Sequence, residues 1–361
     1  MPGDPRMSSV DAKPPSSDPF WKRPWARALV ALLGFGTVVG LVAWHGAAEV
    51  LHVLEVAGPR LLWVGAVFLP GLALVAFEWS RCFPPGTVPR LRTLVGGTWI
   101  MFGVNWLLPV ARIGGDVARI RILAAQGHPT SSAAASVVVD KTLQVAGQAL
   151  VTIAGVALFA LEASDGKVIA AAAVVTLGLS VTTYLLVRVQ RKGLFGLLHR
   201  IAGKLLPKGR NASFEEGARE FDDAVRDVWL GRGRLLVGLL AHLGFRLVQT
   251  AETWFLLDCF GHPLTLVQVF VLETLSQAIR AAAFLVPGAL GVQEGAFLAL
   301  GTTFGLPPEI ALSTSLGKRL RELLIGLPGL FGWWLRESQL ALRGAAVATS
   351  ADEADVESTV E

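Results

Sequence analysis

The chain has 361 residues, of which 53% are hydrophobic and only 17% charged, with 32 Lys and Arg against 28 Asp and Glu for a net charge of +4. Its mean hydropathy of +0.55 excludes an ordinary soluble protein, in which about a quarter of residues are charged, and points to a polytopic membrane protein. Cys82 and Cys259 lie far apart and form no CxxC, which excludes a disulfide framework.

Residues 1–22 are polar and rich in Pro, Ser and Asp, the composition of a disordered tail. A single transmembrane domain is expected over 23–337. It opens with apolar spans at 28–44 and 61–79 joined by a polar loop at 45–60, and a basic connector follows at 81–92. The segment 93–108 is apolar and ends at Pro109, while 112–126 carries Arg112, Asp116, Arg119 and Arg121. Four charges forbid a lipid-exposed crossing there, so 93–126 reads as a hairpin that dips into the membrane and returns.

Two long helices are expected at 130–161 and 168–189, then a stretch at 188–234 holding eleven Lys or Arg. Within it, a cytoplasmic insert at 190–232 has a capping box at Ser213–Glu216, and Phe214, Ala218, Phe221, Val225 and Trp229 recur at helical spacing. This amphipathic helix suits either a membrane surface or packing against other cytoplasmic parts. A further crossing at 235–260, a second hairpin at 264–306 and a last crossing at 308–334 complete the domain; 338–361 reads as a disordered tail.

The hairpin regions are versions of one pattern. An offset of 178 places Pro109 on Pro287, Asp116 on Glu294, Gly127 on Gly305, Pro129 on Pro307, and Asp140-Lys141 on Lys318-Arg319. Each copy has an apolar segment broken at Pro, a Gly-rich turn, a half-helix opened by an acid, a Gly-x-Pro break and a long helix. The hinges are Pro109, Gly114 and Gly115, and Pro287, Gly288 and Gly291. Broken segments at matching places in two halves mark a transport site. An odd number of crossings separates the hairpins, so the repeats are expected to be inverted.

Loop charge sets the orientation. The termini, 81–92 and 188–234 fall on the basic side, while the opposite loops hold only Arg60 and Lys167, which puts both termini in the cytoplasm. Trp21, Trp25, Trp79, Trp229, Trp333 and Trp334 are expected at the cytoplasmic interface, and Trp44 and Trp63 at the outer one.

Half-helix N-termini at membrane depth offer N–H groups to an anionic head group. Asp116 and Glu294 either cap these helices or couple protons to movement. Among intramembrane cations, Arg112, Arg119, Lys141, Arg280, Lys318 and Arg319 are the substrate-binding candidates, since Arg and Lys suit phosphate. Arg246 and Arg321 belong to the same basic set. The competing role is internal pairing: Asp140 with Lys141 or Lys318, Glu273 with Arg280, Glu252 with Arg246, Glu322 with Arg319. The six His have no metal-ligand spacing, and neither GxxxxGK[ST] nor GxSxG occurs, so no metal, cofactor or ATP site is expected. No nucleic-acid partner is indicated.

The segments LLPVARIGGDVARIRIL…VVVDK and LVPGALGVQEGAFLALG…GKRL resemble the paired motifs of the transmembrane region of lysylphosphatidylglycerol synthases, a flippase-like integral membrane family, and most of all its hopanoid-biosynthesis-associated, HpnL-type branch. The family's Gly-Glu…Arg motif is matched by Gly115, Asp116 and Arg119; its Pro-Gly-x-Leu-Gly-x-x-Glu is intact at Pro287, Gly288, Leu290, Gly291 and Glu294. Its later Glu-Arg is matched only in type by Asp140-Lys141, and Gln144 stands where an Asp is usual.

The resemblance implies movement of lipids or lipid-linked precursors between leaflets. The synthases' soluble aminoacyl-transferase domain is missing, so lipid aminoacylation is not expected. The resulting expectation is an inner-membrane lipid translocase, not an enzyme, whose cargo is a hopanoid or another amphipathic or anionic lipid. The alternatives are a scaffold for hopanoid or lipid-glycosylation enzymes, and an integral membrane lipid transferase.

Overall fold

A computed structural model of the chain describes residue 52, 55–108, 113–163, parts of 177–190, 212–283, 289 and 291–360, with backbone alone at 162–163, 212–215 and 337–360. The expected tail at 1–22, the span at 28–44 and most of 168–189 lie outside the described residues. Every regular element among those described is helical.

A 3-10 turn at Gly58–Trp63 leads into α1 (Val64–Ser80). Then come α2 (Leu91–Leu107), α3 (Gly114–Ala124), α4 (Thr130–Ala163), α5 (Ala212–Leu230) and α6 (Arg232–Cys259), followed by α7 (Leu266–Ala282), α8 (Val292–Thr303) and α9 (Pro308–Val360). The last helix runs on through the stretch whose composition reads as a tail. Two stretches, Glu55–Ser80 and Thr130–Leu161, are long and apolar enough to cross a membrane, with mean hydropathies of 2.0 and 1.8.

Local chemistry sets the breaks. Leu108 precedes Pro109 and is extended (φ −103°, ψ 143°), as a residue before proline must be when the ring crowds the helical conformation. Thr265 caps α7: its Oγ1 accepts from the Gln268 N–H while Gln268 Oε1 accepts from the Thr265 N–H.

The two halves share backbone detail at the offset of 178. Gly127 (φ 86°) and Gly305 (φ 78°) end the short helices in the left-handed region, which glycine enters without a Cβ penalty. His128 N–H donates to Leu123 O at 3.1 Å, and Leu306 N–H to Gly301 O at 3.0 Å, the same C-terminal cap twice. The long helices begin at Thr130 and Pro308, again 178 apart.

Helix α1 runs antiparallel to α6. Arg60 pairs with Asp258, Gly71 faces Phe245 and Val248, and Glu78 meets His242. At the C-terminal end of α1 a core gathers Trp79, Cys82, Leu94, Leu123, Ala133 and Leu235. A second core, at the N-terminal end of α1, gathers Leu61, Val64, Leu257, Leu272, Leu306 and Ile310. The start of α2 and the end of α3 therefore share one end of the bundle, where Thr93 Oγ1 donates to Gln126 Oε1 at 2.9 Å. The start of α7 and the end of α8 share the other. Between them, Phe68, Met101, Phe102, Phe245 and Ile325 form a middle layer. Helix α2 packs along α9, and α7 along α4.

Apolar side chains face outward and charges inward. Leu69, Leu150, Leu240, Leu247, Ile279 and Phe331 are exposed, while Glu78, Arg119, Asp140, Glu252, Glu294 and Lys318 are fully buried. This reverses the order of a soluble protein and leaves a surface suited to hydrocarbon. Helix α5 buries Phe221, Val225 and Val228 in the core beside Trp79, so of its two expected placements the described contacts are those of packing against the protein. Trp79 departs from its expected interfacial place: it is fully buried, because its ring lies under the Arg119 guanidinium at 4.4 Å and its Nε1–H donates to Ser136 Oγ at 3.2 Å.

Candidate functional site

Near the two helix breaks, a cavity of about 470 Å³ opens between α1, α2, α4, α6, α7 and α9. Lys141, Arg246, Arg280 and Arg321 line it, with Gln144, Gln148, Gln249, Gln277 and Asn105, and no Asp or Glu is among its walls in the described residues. Its apolar lining includes Val75, Phe102, Trp106, Val145 and Phe245.

Acids behind the walls hold three of the four cations in place. Arg321 Nε–H donates to Glu252 Oε1 at 2.9 Å, and its guanidinium carbon lies 4.4 Å from the ring centroids of both Phe68 and Trp106. Its Nη1 is buried without a hydrogen-bond partner. Arg280 pairs with Glu322 at 2.5 Å and also donates to Gln293. Arg246 donates from Nε to His242 Nε2 at 3.1 Å and from Nη1 to Gln249 Oε1 at 2.8 Å. Lys141 stands 3.2 Å from Asp116 Oδ1 and donates to Gln144 at 3.1 Å. Donor groups with buried counter-charges behind them and an amide-lined gap in front suit an oxyanion.

Of the predicted substrate residues, Lys141 and Arg280 reach this cavity. Arg119, Lys318 and Arg319 are tied up in ion pairs outside its lining. Arg119 is fully buried, 2.6 Å from Asp140 and 3.0 Å from Thr98 Oγ1. Lys318 sits 2.9 Å from Glu273 and 3.4 Å from Glu252. Arg319 binds both Glu294 and Glu322 at 2.9 Å. Arg112, Pro109, Pro287 and Gly288 lie outside the described residues.

At the half-helix starts, several N–H groups have partners within the protein. Gly115 N–H donates to Asn105 Oδ1 at 2.9 Å, and the N–H groups of Asp116 and Val117 to Ile113 O. In the second half, Gly291 N–H (φ 78°) donates to Glu294 Oε2 at 2.8 Å. Glu294 thus caps its helix. The carboxylate of Asp116 instead faces Lys141.

Three of the expected internal pairs are replaced. Asp140 meets Arg119 rather than Lys141 or Lys318, because neighbours in a helix point about 100° apart. Glu273 meets Lys318 rather than Arg280, and Glu252 meets Arg321 and Lys318 rather than Arg246. Only Glu322 with Arg319 forms as expected.

Sequence reasoning placed Arg246 and Arg321 in the basic set without choosing them as substrate residues, and passed over His242 and the four glutamines. Their signal is polar spacing on apolar helices: Gln144, Gln148 and Thr152 in α4, His242, Arg246 and Gln249 in α6, Gln277 and Arg280 in α7. Steps of three and four line one helix face.

Helices clad in apolar side chains around buried charge and a basic, amide-lined cavity define a polytopic membrane protein. Residues 29–329 match the lysylphosphatidylglycerol synthase TM region, and the chain belongs to that family of lipid-handling membrane proteins. No curated protein and no solved structure matches the chain.

Proposed function

We propose that the protein is a lipid translocase of the bacterial inner membrane, which holds the anionic head group of an amphipathic lipid in the basic cavity and carries it between leaflets. The observation that carries this reading is the cavity wall of Lys141, Arg246, Arg280 and Arg321 without a facing carboxylate. Arg246 is bonded to neutral groups, His242 and Gln249, and the buried Arg321 Nη1 has no acceptor, so an anionic head group suits this wall better than a neutral hopanoid one. A phosphate or carboxylate head group compensates these cations, while the apolar part of the wall and the surrounding bilayer take the tail.

The proposed architecture is an inverted repeat with two re-entrant hairpins. What supports it is the antiparallel pairing of α1 with α6, which the offset of 178 makes counterparts, and the placing of the two hairpin mouths at opposite ends of the bundle. Such symmetry lets one fold expose its central site to either face in turn. Loop charge puts the α2–α3 mouth and both termini on the cytoplasmic side.

The test is reconstitution in vesicles with fluorescently tagged phosphatidylglycerol, followed by quenching of the outer leaflet. Protein-containing vesicles are expected to exchange label between leaflets faster than empty ones, and the double variant Arg246→Ala, Arg321→Ala to lose that gain. Equal rates with and without protein would overturn the reading.

A further inference from the structure

Glu78, His242 and Arg246 form a chain from the protein interior to the cavity. The Glu78 carboxylate and the His242 ring are buried, 2.9 Å apart through Oε2 and Nδ1. On the other side of the ring, Arg246 Nε stands 3.1 Å from His242 Nε2. A guanidinium N–H only donates, so Nε2 must carry the lone pair and the ring proton must sit on Nδ1, facing Glu78. With Arg246 in place, the imidazole is held neutral and in one tautomer.

The ring is also held in position. Gly147 of α4 backs it so closely that a Cβ there would meet His242 Cδ2 at 2.4 Å. The second carboxylate oxygen of Glu78, Oε1, is buried with no hydrogen-bond partner.

We infer that Arg246 and a proton exchange places on His242 when an anionic lipid enters the cavity. This rests on the head-group site proposed above. The lipid phosphate draws the Arg246 guanidinium away from Nε2, and Nε2 takes one proton from water in the cavity. Charge balances at each stage. Before binding, Glu78 and Arg246 bracket a neutral ring; afterwards Arg246 neutralises the phosphate, and the new imidazolium neutralises Glu78. No covalent bond other than the N–H is made.

The other charges around this pair do not replace Arg246. Arg119 of α3 and Asp140 and Lys141 of α4 act on Glu78 and His242, and Glu273 and Arg280 of α7 act on Arg246. Arg119 and Asp140 hold each other, Lys141 faces Asp116, Glu273 holds Lys318, and Arg280 holds Glu322. Arg246 is the cation bonded to the ring itself, and its contacts are to neutral groups, His242 and Gln249.

The experiment titrates phosphatidylglycerol into the purified full-length protein in weakly buffered detergent, recording lipid binding and proton uptake together. Wild type is expected to take up about one proton per lipid bound, and its affinity to fall by up to tenfold per pH unit once Nε2 must be protonated against solvent. His242→Gln keeps an acceptor for Arg246 and a donor for Glu78 but cannot be protonated; it is expected to bind lipid without uptake and without the pH slope. Glu78→Gln, which removes the counter-charge, is expected to lose uptake as well. Lipid binding by wild type without proton uptake, or uptake unchanged in His242→Gln, overturns the exchange and leaves the head-group site standing. Absence of lipid binding by wild type overturns the head-group site and the exchange with it.

Discussion

Lys141 and Asp116 face each other at 3.2 Å across α4 and α3, and 178 positions further on Arg319 and Glu294 repeat the contact at 2.9 Å across α9 and α8. Each cation has a second partner three residues on, Gln144 in one half and Glu322 in the other, themselves 178 apart. The repeat therefore extends from chain path to a specific polar triad that clamps each short helix to its long one.

The two clamps differ in burial, and their strengths should differ accordingly. Lys141 is 37% exposed, whereas Glu294 is wholly buried and Arg319 is 15% exposed. Asp116→Asn is expected to cost about 1 kcal/mol, the range of a solvent-screened pair. Glu294→Gln retains an acceptor for the Gly291 N–H but strips Arg319 of a buried counter-charge, and is expected to cost about 3 kcal/mol. Thermal unfolding of the purified variants checks this; an equal loss in both would show that burial does not separate the clamps.

Glu252 bears on two cations at once. It accepts from Arg321 at 2.9 Å and lies 3.4 Å from Lys318, all three side chains being buried. Lys318 keeps Glu273 if Glu252 is neutralised, but Arg321 loses its carboxylate. Glu252→Gln is expected to destabilise by about 3–5 kcal/mol. The double variant Glu252→Gln, Arg321→Met, which removes both charges and leaves an apolar chain against Phe68 and Trp106, is expected to recover most of that loss. Unfolding midpoints in detergent measure both.

Why some of this was legible in the sequence and some was not follows from range. The breaks at Leu108, Gly127 and Gly305 are set by residues next to one another, since a proline constrains the residue before it and a left-handed turn selects glycine. Their positions, and the repeat they mark, could be read directly. Partners across helices depend on crossing register, which no local pattern records. Asp140 therefore meets Arg119, 21 positions away, rather than its neighbour Lys141. The same holds for Trp79, whose place at the end of a span suits an interface but whose ring lies under Arg119. The cavity cations fell between these cases: the polar stripes on α4, α6 and α7 are local, but their convergence is not.

Close packing of α2 on α9 rests on glycine. A Cβ at Gly103 would meet Gly326 O at 2.5 Å and Leu330 N at 2.7 Å, and one at Gly329 would meet Trp99 O at 2.5 Å. These obstacles are backbone atoms and cannot swing aside, so the helices must separate, as at other small-residue crossings in membranes. Gly103→Ala or Gly329→Ala is expected to cost about 1–3 kcal/mol. Gly332→Ala, three residues along α9 with open space at its Cβ, is expected to be neutral or to stabilise by up to about 1 kcal/mol through helix propensity. Thermal unfolding of the three variants side by side separates the crossing from the propensity effect.

The proposed opposite orientation of the repeats makes the sharpest prediction. Ala125 and Thr303 are counterparts 178 positions apart, both exposed, the one just past the end of α3 and the other the last residue of α8. The turn after Ala125 lies with the core at the C-terminal end of α1, and the turn after Thr303 with the core at its N-terminal end. Seventeen residues of α1 separate those ends, about 25 Å at the rise of an α-helix, close to the thickness of the hydrocarbon layer. Cys82 and Cys259 are both buried, so replacing them with Ala or Ser leaves a background for single reporters. Ala125→Cys and Thr303→Cys are then expected to react with a membrane-impermeant maleimide from opposite sides, Thr303→Cys in intact spheroplasts and Ala125→Cys only after the membrane is opened. Labelling of both from the same side would mean that the two hairpins enter from one face, and the inverted architecture, with alternating access built on it, would fall.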